Sequence, residues 1–141
     1  MIGAVLAKKA IADAFECLNR HDLLRFMAFW RDDGAFIYPG EIPQSGIFEG
    51  RKAVEGWFRG FFEQFPKIRF DIKDICVKNI FAFTGNNSVA VHWDIYLTNR
   101  DGREGINSGV TVIYIKGSKV ARAKDYIFDL WENFKRNWSA L

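Results

Sequence analysis

Apolar residues recur at helical spacing in three stretches of the first half of the chain, which predicts three helices. We expect the first helix over residues 4–19, the second from Leu23 until it ends near Asp32, and the third over residues 51–64. Asp22 suits the N-cap of the second helix, because its side-chain oxygen can accept a backbone hydrogen bond. The apolar stripes are Ile11, Phe15 and Leu18; Leu23, Phe26, Met27 and Trp30; and Val54, Trp57, Phe58, Phe61, Phe62 and Phe65.

The second half of the chain alternates between apolar and polar residues, as strands do. We expect a short strand over residues 35–38, a loop from there to Gly50, and four long strands later in the chain. The turns between the long strands are short, which indicates antiparallel neighbours. Residues 1–141 are therefore predicted to form a single α+β domain with its helices on one face of the sheet. The long strands are expected over 68–82, 88–98, 106–116 and 119–129, before an amphipathic stretch with Trp131, Phe134 and Trp138.

Composition narrows the functional classes. The net charge of +3 arises from basic residues scattered among 17 acidic ones, so we expect no nucleic-acid partner. No apolar run reaches membrane-spanning length, and no basic stretch precedes the apolar N-terminal residues, which argues against a signal peptide. Cys17 and Cys76 lack the spacing of a zinc or redox motif, and a disulfide between them is possible but not indicated. We therefore expect a cytoplasmic protein without metal or cofactor.

Two carboxylates in the strands are the candidates for chemistry. His92, Asp94 and Tyr96 share one face of their strand. Asp125 shares one face of the last strand with Ala121 and Ala123, whose small side chains would leave room for a pocket floor. If Asp94 and Asp125 face one pocket, desolvation and mutual repulsion keep one of them protonated. An acid beside a base can shuttle protons or activate a water, and His92 could relay the proton.

Structural explanations compete with this hypothesis. Asp94 could pair with a Lys or Arg on a solvated sheet face, Asp125 could cap a turn, and His92 could be a surface histidine. The aromatic stripe of the third helix is most simply core, although Phe and Trp side chains also build pocket walls.

The order of these motifs resembles the SnoaL-like branch of the nuclear transport factor 2-like superfamily over nearly the whole chain. The resemblance is carried by the segments Trp30–Ala35, Gly50–Val54, Gly117–Val120 and Lys124–Asp129. It implies a cystatin-like cone, in which a strongly bent antiparallel sheet wraps around a long helix and leaves a pocket at the open end. It also implies a homodimer packed through the outer sheet face, and the row Val91, Trp93 and Ile95 could form that contact.

Within the superfamily, the closest local resemblance is to limonene-epoxide hydrolase, whose closing strand resembles Lys124–Leu130. Its water-activating Asp falls on Asp125 and its acid Asp on Asp94. The Arg that links them falls on His92, which is a departure. The Tyr and Asn that help to hold the water fall near Ala35 and Ile37, so both are missing.

Polyketide cyclases resemble the chain more loosely and use a late-strand Asp, a role that fits Asp125. Ketosteroid isomerases match less well, because their base falls on Tyr38. The resemblance implies acid/base chemistry on a small apolar oxygenated molecule, with Asp94, Asp125 and His92 as catalytic residues. Tyr38, Trp57, Phe61 and Tyr96 would then bind the substrate. The alternative is a non-catalytic module of the same fold that binds a small ligand or a protein.

Overall fold

The structure, a computed structural model, describes residues 2–82 and 84–138. Helices and strands alternate early in the chain and strands dominate later, so the predicted α+β class is confirmed. Within the described residues the helices are α1 (Ile2–Asn19), α2 (Leu23–Met27), α3 (Arg51–Gln64) and α4 (Glu132–Asn137). The strands are β1 (Trp30–Tyr38), β2 (Gly46–Glu49), β3 (Lys67–Val77), β4 (Asn87–Thr98), β5 (Glu104–Lys116) and β6 (Lys119–Ile127).

The strands form one curled, unclosed sheet in the order β2-β1-β6-β5-β4-β3. Strands β3 to β6 form an antiparallel meander, as their short turns predict, while β1 and β6 pair in parallel. The β1–β6 contact joins the two halves of the chain, because it continues the meander into the β1–β2 pair. The concave face of the sheet packs on the helices, and this is the cone expected from the sequence.

The region between α2 and α3 differs from the prediction. Helix α2 ends at Met27, and Trp30 begins β1 instead of ending the helix. Trp30 fits helical spacing, but it is also buried together with Gly34, Phe36 and Tyr38, which follow the alternation of a strand. The segment expected to be a loop contains the edge strand β2, and β3 and β6 are shorter than predicted.

Helix α3 lies against the sheet through the aromatic stripe that its sequence predicts. Val54, Trp57, Phe58 and Phe61 are buried, and Phe65 directly after the helix is completely buried. The rings contact one another closely, with Trp57 and Phe61 stacked at a centroid distance of 5.4 Å. This stripe supplies much of the apolar surface that the concave sheet covers.

Gly109 in β5 lets a large side chain of β4 lie across the sheet. It stands opposite Trp93 in the β4–β5 register. A Cβ atom at position 109 would lie 2.8 Å from Cη2 of Trp93 and 2.5 Å from the backbone oxygen of Tyr126. The absence of a side chain therefore allows the Trp93 indole to extend over β5.

Two further observations concern membranes and thiols. In the part of the chain that the structure describes, no helix is long and apolar enough to span a membrane. Cys17 and Cys76 are both free thiols, so the structure contains no bond between them.

We predict opposite effects for two glycine-to-alanine substitutions. Gly109→Ala should lower the free energy of unfolding by about 1–3 kcal/mol, because its methyl group overlaps Trp93 and the Tyr126 carbonyl. Gly60→Ala, in the exposed face of α3 with no atom within 4 Å, should raise it by about 0.5–1 kcal/mol through helix propensity. Urea denaturation of both variants measures these changes. Equal effects of the two substitutions would contradict the close approach at position 109.

Candidate active site

An internal cavity lies between the concave face of the sheet and the helices. The centres of water-sized spheres can occupy about 80 Å³ of this cavity. One water molecule takes up about 10–15 Å³ of such space. The cavity thus offers space equivalent to roughly five to eight waters, enough for a molecule of one or two rings. Its apolar lining includes Ile11, Ala14, Phe15, Leu18, Phe26, Trp30, Phe36, Trp57, Phe58, Phe61, Phe70, Trp93, Ile95, Ile113, Val120, Ala123, Ile127, Phe134 and Trp138. Its polar lining consists of Tyr38, Asn107, Thr111, Asp125 and Asn137.

Asp125 is the acidic residue of the cavity wall. Thr111, opposite Asp125 in the β5–β6 register, donates a hydrogen bond from Oγ1 to Oδ1 of Asp125 at 2.6 Å. The Trp93 indole in turn donates from Nε1 to Oγ1 of Thr111 at 2.9 Å. Among the described residues, no group donates a hydrogen bond to Oδ2 of Asp125. One carboxylate oxygen is therefore fixed by a two-bond chain, and the other is left for a ligand.

Burial controls the protonation of Asp125. The residue keeps some accessible surface, as a residue that lines a cavity does, but the protein surrounds it with apolar side chains. The resulting desolvation raises the pKa of Asp125 from 3.8 to about 7, and the hydrogen bond from Thr111 opposes this rise. Both protonation states are consequently populated near neutral pH.

Tyr38 and Trp138 form a second polar pair in the same cavity. Trp138 donates a hydrogen bond from Nε1 to the hydroxyl oxygen of Tyr38 at 3.0 Å, and both residues are buried. Desolvation raises the pKa of the Tyr38 phenol, and the nearby charge of Asp125 raises it further. The phenol therefore stays protonated across the neutral range.

Helix α4 carries Phe134, Asn137 and Trp138 into the cavity wall, and polar contacts hold its C-terminal end. The backbone oxygen of Asn137 accepts hydrogen bonds from Nε2 of Gln64 at 2.8 Å and from Nδ2 of Asn99 at 3.3 Å. Oδ1 of Asn137 is buried and has no hydrogen-bond partner in the described part of the chain. The amphipathic stretch at the end of the sequence thus completes the wall of the cavity.

The structure does not bring Asp94 to Asp125, and the expectation of a shared hollow is wrong. Asp94 lies on the opposite, outer face of the sheet, where its carboxylate accepts a hydrogen bond from Oγ of Ser108 at 2.6 Å and lies 3.5 Å from Nζ of Lys73. These partners lower the pKa of Asp94, with the Ser108 hydrogen bond as the largest cause. His92 shares that outer face and lies 3.7 Å from a carboxylate oxygen of Asp74.

The three-residue set taken over from limonene-epoxide hydrolase is therefore not assembled, because alternation along β4 sends His92 and Asp94 away from the cavity. Tyr96, expected as a pocket wall, lies on the outer face too, where the Arg69 guanidinium covers its ring at 4.1 Å. Tyr38, Trp57 and Phe61 do line the cavity.

The row suggested for a dimer contact points inward instead. Val91, Trp93 and Ile95 are buried on the concave face, so they cannot meet a second copy of the chain. Ala121, expected beside Asp125 on the cavity floor, lies next to an irregularity in the β5–β6 pairing, and Ala123 lines the cavity without it. Homodimerisation through the outer face stays a prediction.

Sequence reasoning missed Thr111, Trp93 and Trp138 as parts of the site. The signal for Trp93 was present, because it belongs to the apolar row of β4, and apolar rows of a half-covered sheet face inward. Thr111 could be found only from the register that pairs it with Asp125. In the residues described, no group of three or more His, Cys, Asp or Glu side chains is arranged to hold a metal ion.

The raised pKa of Asp125 predicts a pH-dependent loss of stability. Between 3.8 and about 7 the folded state binds a proton that the unfolded state does not, so stability falls as pH rises through this window. Relative to Asp125→Asn, the wild type should lose about 2–3 kcal/mol between pH 5 and pH 8. Urea denaturation at both values measures the loss. Asp94→Asn is the control, because a lowered pKa leaves no titration in this window.

We also predict that Thr111→Val raises the pKa of Asp125 further, because it removes the hydrogen bond that stabilises the carboxylate. Carbon-13 NMR of the side-chain carboxyl carbon, in protein labelled at its aspartates, follows the titration of Asp125. Ser108→Ala removes the matching hydroxyl from Asp94 on the outer face and should leave the Asp125 titration unchanged. An unaltered Asp125 titration in Thr111→Val would contradict the assigned hydrogen bond.

Comparisons with solved structures agree with this architecture. Bal32a from a soil-derived mobile gene cassette superposes with a TM-score of 0.78 and 14% identity, covering 93% of this chain and 95% of that one. A proposed scytalone dehydratase of Novosphingobium aromaticivorans gives 0.77 at 16% identity, covering 93% and 89%. A proposed isomerase of Bacillus subtilis gives 0.75 at 16% identity, covering 96% and 94%. At such low identities these similarities show the fold alone. Other structural neighbours are described as nuclear transport factor 2-like or as having a cystatin-like fold.

The sequence of the chain identifies its family. No curated protein sequence matches the chain significantly. The SnoaL-like domain, by contrast, matches residues 11–123, which is most of the chain, although the match ends two residues before Asp125. The chain therefore belongs to the SnoaL-like domain family.

Proposed function

We propose that this protein is a cofactor-free enzyme that transfers protons on a small apolar oxygenated molecule, with Asp125 as both base and acid. The observation that carries the proposal is the Asp125 carboxyl, which lies in the wall of an apolar cavity with one oxygen bound by Thr111. A buried carboxyl costs stability, and groups with such perturbed protonation cluster at functional sites.

The protonation of Asp125 suits catalysis at neutral pH. A group with a pKa of about 7 is present in both forms, so the carboxylate can accept a proton and the resulting acid can return it. Thr111 fixes the orientation of the carboxyl, and Trp93 fixes the orientation of the Thr111 hydroxyl. A single residue thereby takes the two roles that the sequence suggested for a pair.

The lining of the cavity favours an uncharged and largely apolar substrate. Aromatic and aliphatic side chains form most of the wall, and the lining given by the described residues includes no Lys, Arg or His that could pair with an anion. Dehydration and isomerisation, the reactions in the names of two structural neighbours, can both proceed by proton transfer to and from one acid/base residue. Epoxide hydrolysis is less well supported, because it would require a second carboxyl beside Asp125.

A non-catalytic ligand-binding module is the alternative. The aromatic walls favour it as much as they favour an enzyme, since they bind apolar molecules in either case. The buried carboxyl of Asp125 favours the enzyme over the binding module, because binding of a purely apolar ligand does not require a destabilising polar group in the wall.

Two further predictions belong to the proposal. A homodimer would use the outer sheet face, where Ile106, Tyr114, Tyr126 and Phe128 expose large apolar surfaces. A cytoplasmic location would suit the two free thiols, Cys17 and Cys76.

The proposal predicts that Asp125→Asn abolishes turnover while it spares binding. A panel of one- and two-ring apolar ketones, enones and β-hydroxyketones is incubated with the protein in heavy water. Mass spectrometry and NMR then detect lost water, moved double bonds or deuterium uptake. Asp125→Asn should lower any such rate about 10²–10⁴-fold, because general acid–base catalysis contributes that much. The wild-type rate of proton abstraction should rise with pH around 7.

Asp94→Asn and His92→Gln are the matched controls, because both residues lie on the outer face. Their turnover should equal that of the wild type. A large loss in either control would place the chemistry elsewhere, and ligand binding without any turnover across the panel would favour the binding module.

A further inference from the structure

Tyr38 has a hydrogen-bond donor without an acceptor. Its hydroxyl oxygen accepts the indole hydrogen of Trp138 at 3.0 Å, and no described residue accepts the phenolic hydrogen. The residue is only 8% exposed and lines the cavity that contains Asp125. Buried tyrosine hydroxyls normally have a partner for their hydrogen. The free donor therefore points to a partner that occupies the cavity.

Trp138 makes the Tyr38 donor stronger and holds it in place. A hydroxyl that accepts a hydrogen bond donates a stronger one, because the two bonds polarise each other. Trp138 itself is only 5% exposed, and the backbone bonds at Asn137 keep the end of α4 against the sheet. The Tyr38–Trp138 pair depends on α4, which lies beyond the residues matched by the family.

The walls near Tyr38 are flat aromatic surfaces. Its ring lies 4.6 Å from the ring of Trp57 and 6.0 Å from that of Phe36, measured between centroids. Trp57 in turn stacks on Phe61. Faces of this kind favour planar molecules, which stack on them at little cost in conformational entropy.

We propose that Tyr38 donates its hydrogen bond to the carbonyl oxygen of the substrate, and that the substrate is a flat one- or two-ring ketone or enone. This inference rests on the proposed function, because it assigns Asp125 the proton on a carbon next to that carbonyl. Tyr38 is then a catalytic residue, and Trp138 is a positioning residue that acts through it.

The chemical step balances with these two residues alone. The Asp125 carboxylate takes the proton from the α carbon, the C–H electron pair becomes a carbon–carbon double bond, and the carbonyl π pair moves to oxygen. Tyr38 stabilises the developing enolate by its hydrogen bond. The protonated Asp125 then returns the proton, either to a carbon or to a β-hydroxyl that leaves as water. The step requires neither an oxidant nor a reductant.

Protonation favours these roles. The pKa of Tyr38 lies above its usual value, so the phenol does not surrender its proton to the enolate and remains a donor. Asp125 is ionised in part at neutral pH and can begin the cycle as a base. The aromatic walls beside Tyr38 bind the rings of a ketone, so its oxygen can compete with water for the Tyr38 hydroxyl.

The test compares 2-tetralone, a two-ring ketone with an acidic C–H, with tetralin, the corresponding hydrocarbon. Quenching of tryptophan fluorescence gives the two affinities, and NMR in heavy water gives the rate of α-proton exchange in 2-tetralone. Tyr38→Phe should weaken binding of the ketone about 3- to 10-fold and leave that of the hydrocarbon unchanged. It should also slow exchange about 100-fold, as expected for removal of an oxyanion donor.

Trp138→Phe keeps most of the packing but removes the indole donor, so it should reduce the ratio of ketone to hydrocarbon affinity in the same direction. A purely structural role would weaken both ligands equally. Tyr114→Phe, on the outer sheet face, is the control and should change neither ligand.

The outcomes separate this inference from the proposed function. If Tyr38→Phe leaves the affinity ratio unchanged while Asp125→Asn abolishes exchange, the Tyr38 assignment is wrong and the role of Asp125 stands. If Asp125→Asn leaves exchange unchanged, the proposed function fails, whatever Tyr38 does. Absence of 2-tetralone binding to the wild type overturns the ketone assignment.

Discussion

The site depends on the hydrogen bond from Thr111 to a carboxyl that apolar side chains surround. Desolvation alone would favour the neutral acid strongly, and the Thr111 hydroxyl partly restores the carboxylate. The balance leaves the pKa of Asp125 at about 7. A second donor would lower the pKa of Asp125 further, and loss of the Thr111 hydroxyl would raise it. The β5–β6 register sets this balance, because it places Thr111 opposite Asp125.

Several distant features of the fold hold that pair among apolar side chains. Gly109 lets the Trp93 indole cross β5, and the indole then fixes the Thr111 hydroxyl. Helix α3 supplies aromatic walls, and α4 completes them from the other end of the chain through Trp138. Since each wall belongs to a different element, the cavity exists only when the whole sheet has curled around the helices. Cavity and fold therefore form together.

The sequence predicts the architecture well and the site only in part. The stripe of α3, the short turns of the meander and the order of elements follow from local spacing, which is why the α+β class could be derived. Asp125 could be singled out because it shares a face of its strand with the small residue Ala123 and because the closing strand resembles that of limonene-epoxide hydrolase. The position of Asp94 was predicted wrongly, because the apolar row of β4 was assigned to a dimer contact and not to the covered face of the sheet. The buried row Val91, Trp93 and Ile95 in fact marks the covered face of β4, and Asp94 and His92 must then face outward.

Register and tertiary contacts account for what local patterns leave open. Trp30 satisfies helical and strand spacing alike, and only the pairing of β1 with β6 decides for the strand. The contact between Tyr38 and Trp138 joins residues 100 positions apart, so no local pattern contains it. A pair defined in this way is invisible to searches for local motifs, even though each residue is ordinary in its own segment. Conversely, Asp94 and Asp125 have a motif-like spacing but lie on opposite faces of one sheet.

The cost of burying Asp125 is itself an argument about function. An apolar residue of similar size would fill the same wall without the desolvation penalty, and core carboxyls are rare for that reason. Asp94 avoids this desolvation penalty, because it lies on the outer face and its carboxylate interacts with Ser108 and Lys73. The same sheet thus contains one carboxylate that is stabilised by its partners and one that is kept near its titration point. Stability alone explains the first, whereas it does not explain the second, and this supports the proposed role of the Asp125 proton.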